Sequence, residues 1–201
     1  MTKKLLLAGL AFLFLSCLSM ESKMTLAQDG SGTIQLTYTV SSFARDWDAL
    51  DNQEAVLPLP INESDFRRAV SAVPGLSLDS YSRADSGDSS VIQAVLGFAS
   101  LEALNSLVSG SGASFALSQE GGRTVFEQTI SPGTRTPVEQ RARDFITAFF
   151  QPYVLDFSLT APRAARSSSP PGKLSGNQAS VSFPLPDVLQ SPTPVVWRVE
   201  W

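Results

Sequence analysis

The chain of 201 residues contains no histidine and a single cysteine, Cys17. One cysteine cannot form an intrachain disulfide, and zinc sites built from cysteine and histidine cannot form either. Nucleophilic centres of the Ser-His-Asp or Cys-His type are excluded because they need histidine as the base. We therefore predict no cofactor and a protein that is not an enzyme. A hydrolase that uses carboxylates alone is the enzymatic alternative.

Positive charge is also scarce, with 15 Lys and Arg against 19 Asp and Glu. Two of the 15 basic residues, Lys3 and Lys4, and none of the acidic residues lie in residues 1–16, so residues 17–201 carry 13 basic and 19 acidic residues, a formal charge of −6. Nucleic-acid binding requires a basic face that neutralises phosphates, so we predict no nucleic-acid partner. The same balance argues against docking on anionic lipid by charge.

The N-terminal residues are typical of a secretory signal peptide. Lys3 and Lys4 precede an uncharged apolar run over residues 5–15, which matches the basic and apolar regions of such a signal. The run is too short to span a bilayer, which takes about 20 apolar residues. Residues 1–16 are therefore predicted to be a signal peptide that exports the rest of the chain.

The run ends in Phe14-Leu15-Ser16-Cys17, which resembles the lipobox of bacterial lipoproteins. The resemblance implies cleavage between Ser16 and Cys17, attachment of a diacylglyceryl group to the Cys17 sulfur and, in many bacteria, acylation of the new amino terminus, commonly by palmitate. Two or more acyl chains hold a protein on a bilayer, since each buried methylene contributes about 0.8 kcal/mol. The predicted partner is thus a membrane, reached through covalent lipid. Cleavage after Ala27 is the alternative, because small residues occupy the −3 and −1 positions there.

Residues 17–32 are polar, mixed in charge and end in Gly-Ser-Gly, so they are predicted to form a lipidated tether. Leu18 follows the cysteine in place of the Asp that retains lipoproteins in the inner membrane of enteric-type bacteria. A bacterial cell-envelope location is therefore expected, with the outer membrane favoured. Residues 33–201 are predicted to form a single globular domain.

Hydrophobic periodicity predicts an α+β fold for this domain. Thr33 to Val40 alternate apolar and polar residues and form the clearest strand. Caps at Asn62, Ser100 and Thr136 begin three predicted helices. The order is ferredoxin-like, βαββαβ, followed by a β-α-β-β-β extension in a mainly antiparallel sheet. The further predicted strands are 76–83, 91–99, 113–119, 123–130, 154–161, 179–185 and 195–201.

The third helix is predicted to have Thr136 at its N-cap and to pack an apolar side on the core. This side consists of Val138, Ala142, Phe145, Ile146, Phe149 and Phe150. The following Ser/Pro/Gly-rich segment, residues 162–177, is predicted to be a mobile loop. Its cations Arg163, Arg166 and Lys173 are either solvated or meet an acidic partner.

Two further groups of residues are candidate sites. Four carboxylates at short spacing are weak candidates for a calcium site, because Ca²⁺ takes six to eight oxygen ligands. Exposed acidic residues are, however, usually only solvated. The four carboxylates are those of Asp46, Asp48, Asp51 and Glu54. Trp47 and Trp201 are possible interface aromatics, whereas Trp197 on an alternating strand is predicted to be core.

The glycine-led first strand, Gly30-Ser31-Gly32-Thr33, the β-β-α rhythm and the lipobox are similar to bacterial lipoproteins with an LppM-like domain. This resemblance implies a cell-envelope domain that accommodates lipid-like ligands. The function we expect is a non-catalytic binding or interaction module for an envelope protein. The alternative is a carrier of an apolar ligand in a cavity between the sheet and the Phe-rich helix.

Overall fold

The computed structural model describes residues 17–41 and 60–201. The predictions for the signal peptide, for Trp47 and for the four acidic calcium candidates fall outside these residues. Within the described ranges, no helix is long and apolar enough to cross a bilayer. The predicted α+β class with mainly antiparallel sheets is confirmed, with four described helices rather than three.

The strands and helices follow one another in a mixed order along the chain. In chain order, the strands are β1 (Cys17–Leu26), β2 (Gly32–Ser41), β3 (Leu76–Ser86), β4 (Ser89–Phe98), β5 (Ser114–Glu120), β6 (Arg123–Ser131), β7 (Val154–Thr160), β8 (Ser167–Ser169), β9 (Lys173–Ser175), β10 (Gln178–Pro184) and β11 (Val195–Glu200). The helices are α1 (Glu63–Ser71), α2 (Leu101–Val108), α3 (Gln140–Phe150) and α4 (Leu185–Gln190).

The strands form two sheets. A seven-stranded sheet has the order β3-β4-β2-β1-β7-β10-β9, and a four-stranded sheet has the order β5-β6-β11-β8. All neighbours are antiparallel except β1 and β7, which are parallel. One hydrophobic cluster joins the sheets, with Ile92 and Phe126 at 0% exposure and Trp197 at 1%. The two sheets therefore share a single core, which α1 and α2 extend.

The prediction of a tether over residues 17–32 is wrong for its first ten residues, which form β1 at the centre of the larger sheet. Met24 and Leu26 are buried in the shared core, whereas Glu21 and Lys23 face outward and pair with each other at 2.8 Å. Buried Ser22 occupies an inward position, so polar residues stand on both faces of the strand. This weakens the apolar alternation by which a half-buried strand is recognised.

The ferredoxin-like order is present along the chain but is not completed in one sheet. β2, β3 and β4 pair as the first three strands of that arrangement would, in the order β3-β4-β2. The place beside β2 that belongs to the fourth strand is taken by β1. β5, the strand expected there, pairs with β6 in the second sheet. The arrangement changes because the N-terminal strand fills that place.

The first two helices confirm their predicted caps. Asn62 and Asp65 form a capping box at α1, which buries Phe66 and Val70. The Ser100 hydroxyl accepts a hydrogen bond from the Ala103 N–H at the start of α2. These caps satisfy backbone N–H groups that a helix N-terminus leaves unpaired.

The third helix differs from its prediction in its start and in its packing. The N-cap is Glu139 rather than Thr136, because the preceding chain is fixed elsewhere: the Thr134 N–H donates to the Ser191 carbonyl oxygen at 2.8 Å. Only Phe150 of α3 is buried, and Phe145 and Phe149 are 47% and 46% exposed. The apolar side predicted to pack on the core is therefore only partly covered, since Val138, Ala142 and Ile146 are half-buried.

We predict that Gly32→Ala will destabilise the protein because β1 lies against β2. A Cβ at Gly32 would overlap the Thr25 carbonyl oxygen of β1 and approach the Phe98 ring to 2.7 Å. Overpacking of this kind costs at least about 1–3 kcal/mol, measured as the free energy of unfolding in urea. Gly110→Ala is the matched control, since its Cβ would meet nothing within 4 Å. Equal stability of the two variants would contradict the placement of β1.

Candidate functional site

The parallel pairing of β1 and β7 gives the seven-stranded sheet two distinct ends. Met20 pairs with Leu155 and Thr25 with Thr160, so both strands run from one end to the other. We call these the Cys17 end, where β1 begins, and the cleft end, where β1 ends just before Ala27. The ten residues of β1 separate the two ends by about 33 Å at about 3.3 Å per residue.

Two adjoining surface clefts, of about 400 and 440 Å³, lie at the cleft end. They share Gly122, Arg163 and Trp201. The walls come from separate parts of the chain: the β1–β2 turn, the β5–β6 hairpin, the segment after β7 and the end of the chain. The other lining residues are Ala27, Gln28, Leu117, Ser118, Gln119, Gly121, Arg123, Thr124, Pro162, Ala164 and Arg166.

The segment that carries Arg163 and Arg166 connects the two sheets. Its start is held to the larger sheet, since the Asn177 side-chain amide donates to the Ala161 carbonyl oxygen and the Ala161 N–H donates to the Asn177 carbonyl oxygen, both at 2.9 Å. Its end is held to the smaller sheet by the Arg166 N–H, which donates to the Glu200 carbonyl oxygen at 2.7 Å. The prediction of a mobile loop over residues 162–177 is therefore wrong: β8 pairs with β11 and β9 with β10.

Trp201 is the most buried residue of the cleft walls. Its backbone N–H and carbonyl exchange two hydrogen bonds of 3.0 Å with Thr124, and its side chain is 8% exposed. It continues the inward face of β11, where Trp197 is buried and donates its indole N–H to the Ser168 hydroxyl at 2.9 Å. The core placement of Trp197 is confirmed, and Trp201 lies at the edge of the core and lines both clefts.

The charge of the cleft walls is positive. Arg123 pairs with Glu200 at 3.2 Å, whereas the side chains of Arg163 and Arg166 make no ion pair with any described residue. None of the described lining residues is an Asp or a Glu. Guanidinium groups bind carboxylate and phosphate oxygens through paired N–H donors. The clefts are therefore suited to an anionic ligand.

The β1–β2 turn that forms one wall is fixed by Asp29. The Ser31 hydroxyl and backbone N–H donate to this carboxylate at 2.6 and 3.0 Å and hold its pKa below the ordinary value. A lowered pKa in the folded state stabilises the fold above the unfolded pKa, and that stabilisation is lost as the pH falls through the folded pKa. The carboxylate is fully exposed, so we expect only a small effect of acid on this wall.

The structure brings together some of the residues noted in the sequence and separates others. Arg163 and Arg166 line the clefts with Trp201, but Lys173 lies in β9, at the outer edge of the larger sheet. Arg123 was missed; the Gly121-Gly122 turn places it as the first residue of β6, and the predicted strand over residues 123–130 was the signal for its position. Among the described residues, no three Asp, Glu or Cys side chains converge as a metal site would require.

The helix proposed as one wall of an apolar cavity is placed differently. α3 packs on α4, with the Gln190 side-chain amide donating to the Thr147 hydroxyl at 3.1 Å. Two of its phenylalanines, Phe145 and Phe149, face solvent. The Phe-rich side of α3, which was predicted to line a cavity against the sheet, therefore does not enclose a lipid-sized space there.

No family model and no curated protein matches this chain. Among solved structures, the chain is similar to the folded domain of LppM from Mycobacterium tuberculosis, determined by NMR. The two are 12% identical, the match covers 93% of this chain and 91% of that chain, and the TM-score is 0.49. A similarity at this level identifies neither a family nor a ligand.

We predict that Asn177→Ala will loosen the segment that connects the sheets. The variant leaves the carbonyl of Ala161, a residue that is 1% exposed, without its side-chain donor, which costs about 1–3 kcal/mol. Trypsin should then cleave after Arg163 and Arg166 faster than in the native protein. Gln178→Ala, at the exposed neighbouring position, is the control and should cleave at the native rate. Rapid cleavage of the native protein at both arginines would contradict the ordered segment.

Proposed function

We propose that this protein is a lipid-anchored module of the bacterial cell envelope that binds an anionic ligand without catalysis. Cys17 is the attachment site, and the clefts lined by Trp201, Arg163 and Arg166 are the binding site. The proposal combines the lipobox resemblance with the placement of β1. It assigns the membrane to one end of the larger sheet and the ligand to the other.

The observation that carries the anchoring proposal is that residues 17–26 form the central strand of the larger sheet. The sequence left two processing sites open, before Cys17 and after Ala27. Cleavage after Ala27 would remove the central strand of the larger sheet, together with buried Met24 and Leu26. Cleavage before Cys17 leaves that strand whole. The fold therefore favours the lipobox site.

The same placement gives the anchored protein a defined geometry. The β1–β2 register begins where Cys17 pairs with Val40, so no flexible spacer separates the acylated residue from the sheet. The clefts lie about 33 Å away along β1, at about 3.3 Å per residue. In such an anchored domain the Cys17 end lies next to the bilayer, and the binding site lies away from it. The outer membrane remains the favoured location because Leu18 follows Cys17.

The cleft chemistry supports a ligand that carries carboxylate or phosphate groups. Arg163 and Arg166 offer paired donors with no described acidic partner, and Trp201, which is 8% exposed, lines both clefts beside Arg163. Hydrogen bonds to charged groups contribute more than neutral ones, about 1.5–3 kcal/mol each. The carboxylate-only hydrolase is less well supported, because no acidic residue among those described lines either cleft.

We expect Cys17→Ser to abolish acylation while leaving the rest of the chain intact. The hydroxyl cannot replace the sulfur that receives the diacylglyceryl group, so the acyl label and the acyl mass at residue 17 should both be lost. Mass spectrometry of the protein expressed in a bacterial envelope measures this, with Ser19→Ala as the control that keeps the lipid. A native mature protein that begins at Gln28 without an acyl mass would refute the anchoring proposal.

We expect Arg163→Gln and Arg166→Gln each to weaken binding of inorganic tripolyphosphate by about 10- to 100-fold, the equivalent of one lost charged hydrogen bond. Tryptophan fluorescence reports the titration, and Trp201→Phe should remove the signal. Lys173→Gln is the charge-matched control, since it removes one cation that lies in β9 and lines neither cleft. Equal losses in all three charge variants would indicate nonspecific attraction and refute the assigned site.

A further inference from the structure

Helix α3 and the start of β7 expose an apolar surface that no described residue covers. Phe145 and Phe149 are 47% and 46% exposed, and Val154 is 37% exposed. The two rings stack with centroids 5.4 Å apart. We call these three residues the aromatic face. Exposed apolar patches often mark a surface that contacts a partner or a membrane.

The aromatic face lies at the Cys17 end of the molecule. The parallel register pairs Met20 with Leu155, and continuing it by one residue brings Val154 level with Ser19, two residues from Cys17. The chain enters β7 directly from α3, and the Leu185 N–H at the start of α4 donates to the Tyr153 carbonyl oxygen at 2.9 Å. Both helices therefore lie near the point where β1 begins.

We infer that the aromatic face seats on the surface of a lipid bilayer. The inference rests on the proposed function, because acyl chains on Cys17 would place the bilayer beside Val154. Whatever covers the aromatic face must lie close to Cys17. The bilayer into which the acyl chains on Cys17 insert is such a surface. The absence of a flexible spacer between Cys17 and the sheet brings the two into contact.

The area of the aromatic face favours a bilayer over a second copy of the chain. A phenylalanine side chain presents about 150–250 Å², so each half-exposed ring offers about 100 Å², and the whole face a few hundred Å². A stable protein interface buries about 800 Å² on each partner. The face is too small to hold a dimer, but it suffices to orient a domain that is already tethered.

The composition of α3 also fits the membrane interface. Arg141, Phe145 and Phe149 recur every four residues and so form one row along the helix. Arg141 is exposed at the N-terminal end of this row, and arginine beside apolar residues at an interface extends its charge to lipid phosphates. Insertion of Phe145 and Phe149 into the bilayer surface, with Arg141 at the edge of the contact, orients the domain with its clefts away from the bilayer.

The test uses the lipidated protein in vesicles of phosphatidylethanolamine and phosphatidylglycerol. A single fluorophore is attached through Ala148→Cys on α3, or through Gln28→Cys at the cleft end, since lipidation blocks the sulfur of Cys17. With shallow spin-labelled lipid present, we expect a blue-shifted emission and quenching at position 148, and neither at position 28. In a protein that also carries Phe145→Ser and Phe149→Ser, the probe at position 148 should lose both signals, while the exposed positions leave the fold intact.

The outcomes separate this inference from the anchoring proposal. If the protein floats with the vesicles but the probe at position 148 behaves like that at position 28, the seating is wrong and the anchor stands. A blue shift without quenching, together with cross-linking between two Ala148→Cys chains, would overturn it in favour of a second copy. A protein that stays in solution without an acyl mass at residue 17 would overturn both.

Discussion

The insertion of β1 between β2 and β7 is the constraint on which the rest of the structure depends. β1 pairs with β2 in antiparallel and with β7 in parallel orientation, and so joins the N-terminal half of the larger sheet to its C-terminal half. Its inward residues Met24 and Leu26 belong to the core that both sheets share. Without β1 the larger sheet would divide into two smaller ones, each with an unpaired edge that water or another chain would have to satisfy.

This constraint connects the proposed N-terminal processing to the fold. In many anchored proteins a flexible linker separates the attached residue from the domain, and the linker sets the distance from the membrane. In the processing that we propose, Cys17 would be the first residue of the mature chain, and it already pairs with Val40. The proposed anchor would therefore lie directly at the end of β1, and the two ends of the sheet would have different environments.

Local patterns predicted much of the fold, and each error has its own physical cause. Polar and apolar residues alternate without interruption in β2 from Thr33 onward, and Asn62 and Asp65 form a complete capping box at α1. Both β2 and α1 were therefore predicted. β1 was missed because Ser22 lies on its buried face and Glu21 and Lys23 on the other. The apolar side of α3 was misplaced because periodicity identifies a face but not what covers it. The clefts were beyond prediction, since Trp201, Arg123 and Arg163 come from three separate parts of the chain.

The parallel partner of β1 has a consequence for how the chain acquires its structure. β2 can pair with β1 as soon as the first 41 residues are available, but residues 154–160 must emerge before the other side of β1 is occupied. During that interval β1 is an open edge with a full row of unpaired backbone groups, and pairings between distant parts of a chain form slowly. A chain that emerges from its amino terminus thus keeps one edge of β1 open to aggregation until β7 arrives, and a chaperone that covers this edge would protect it.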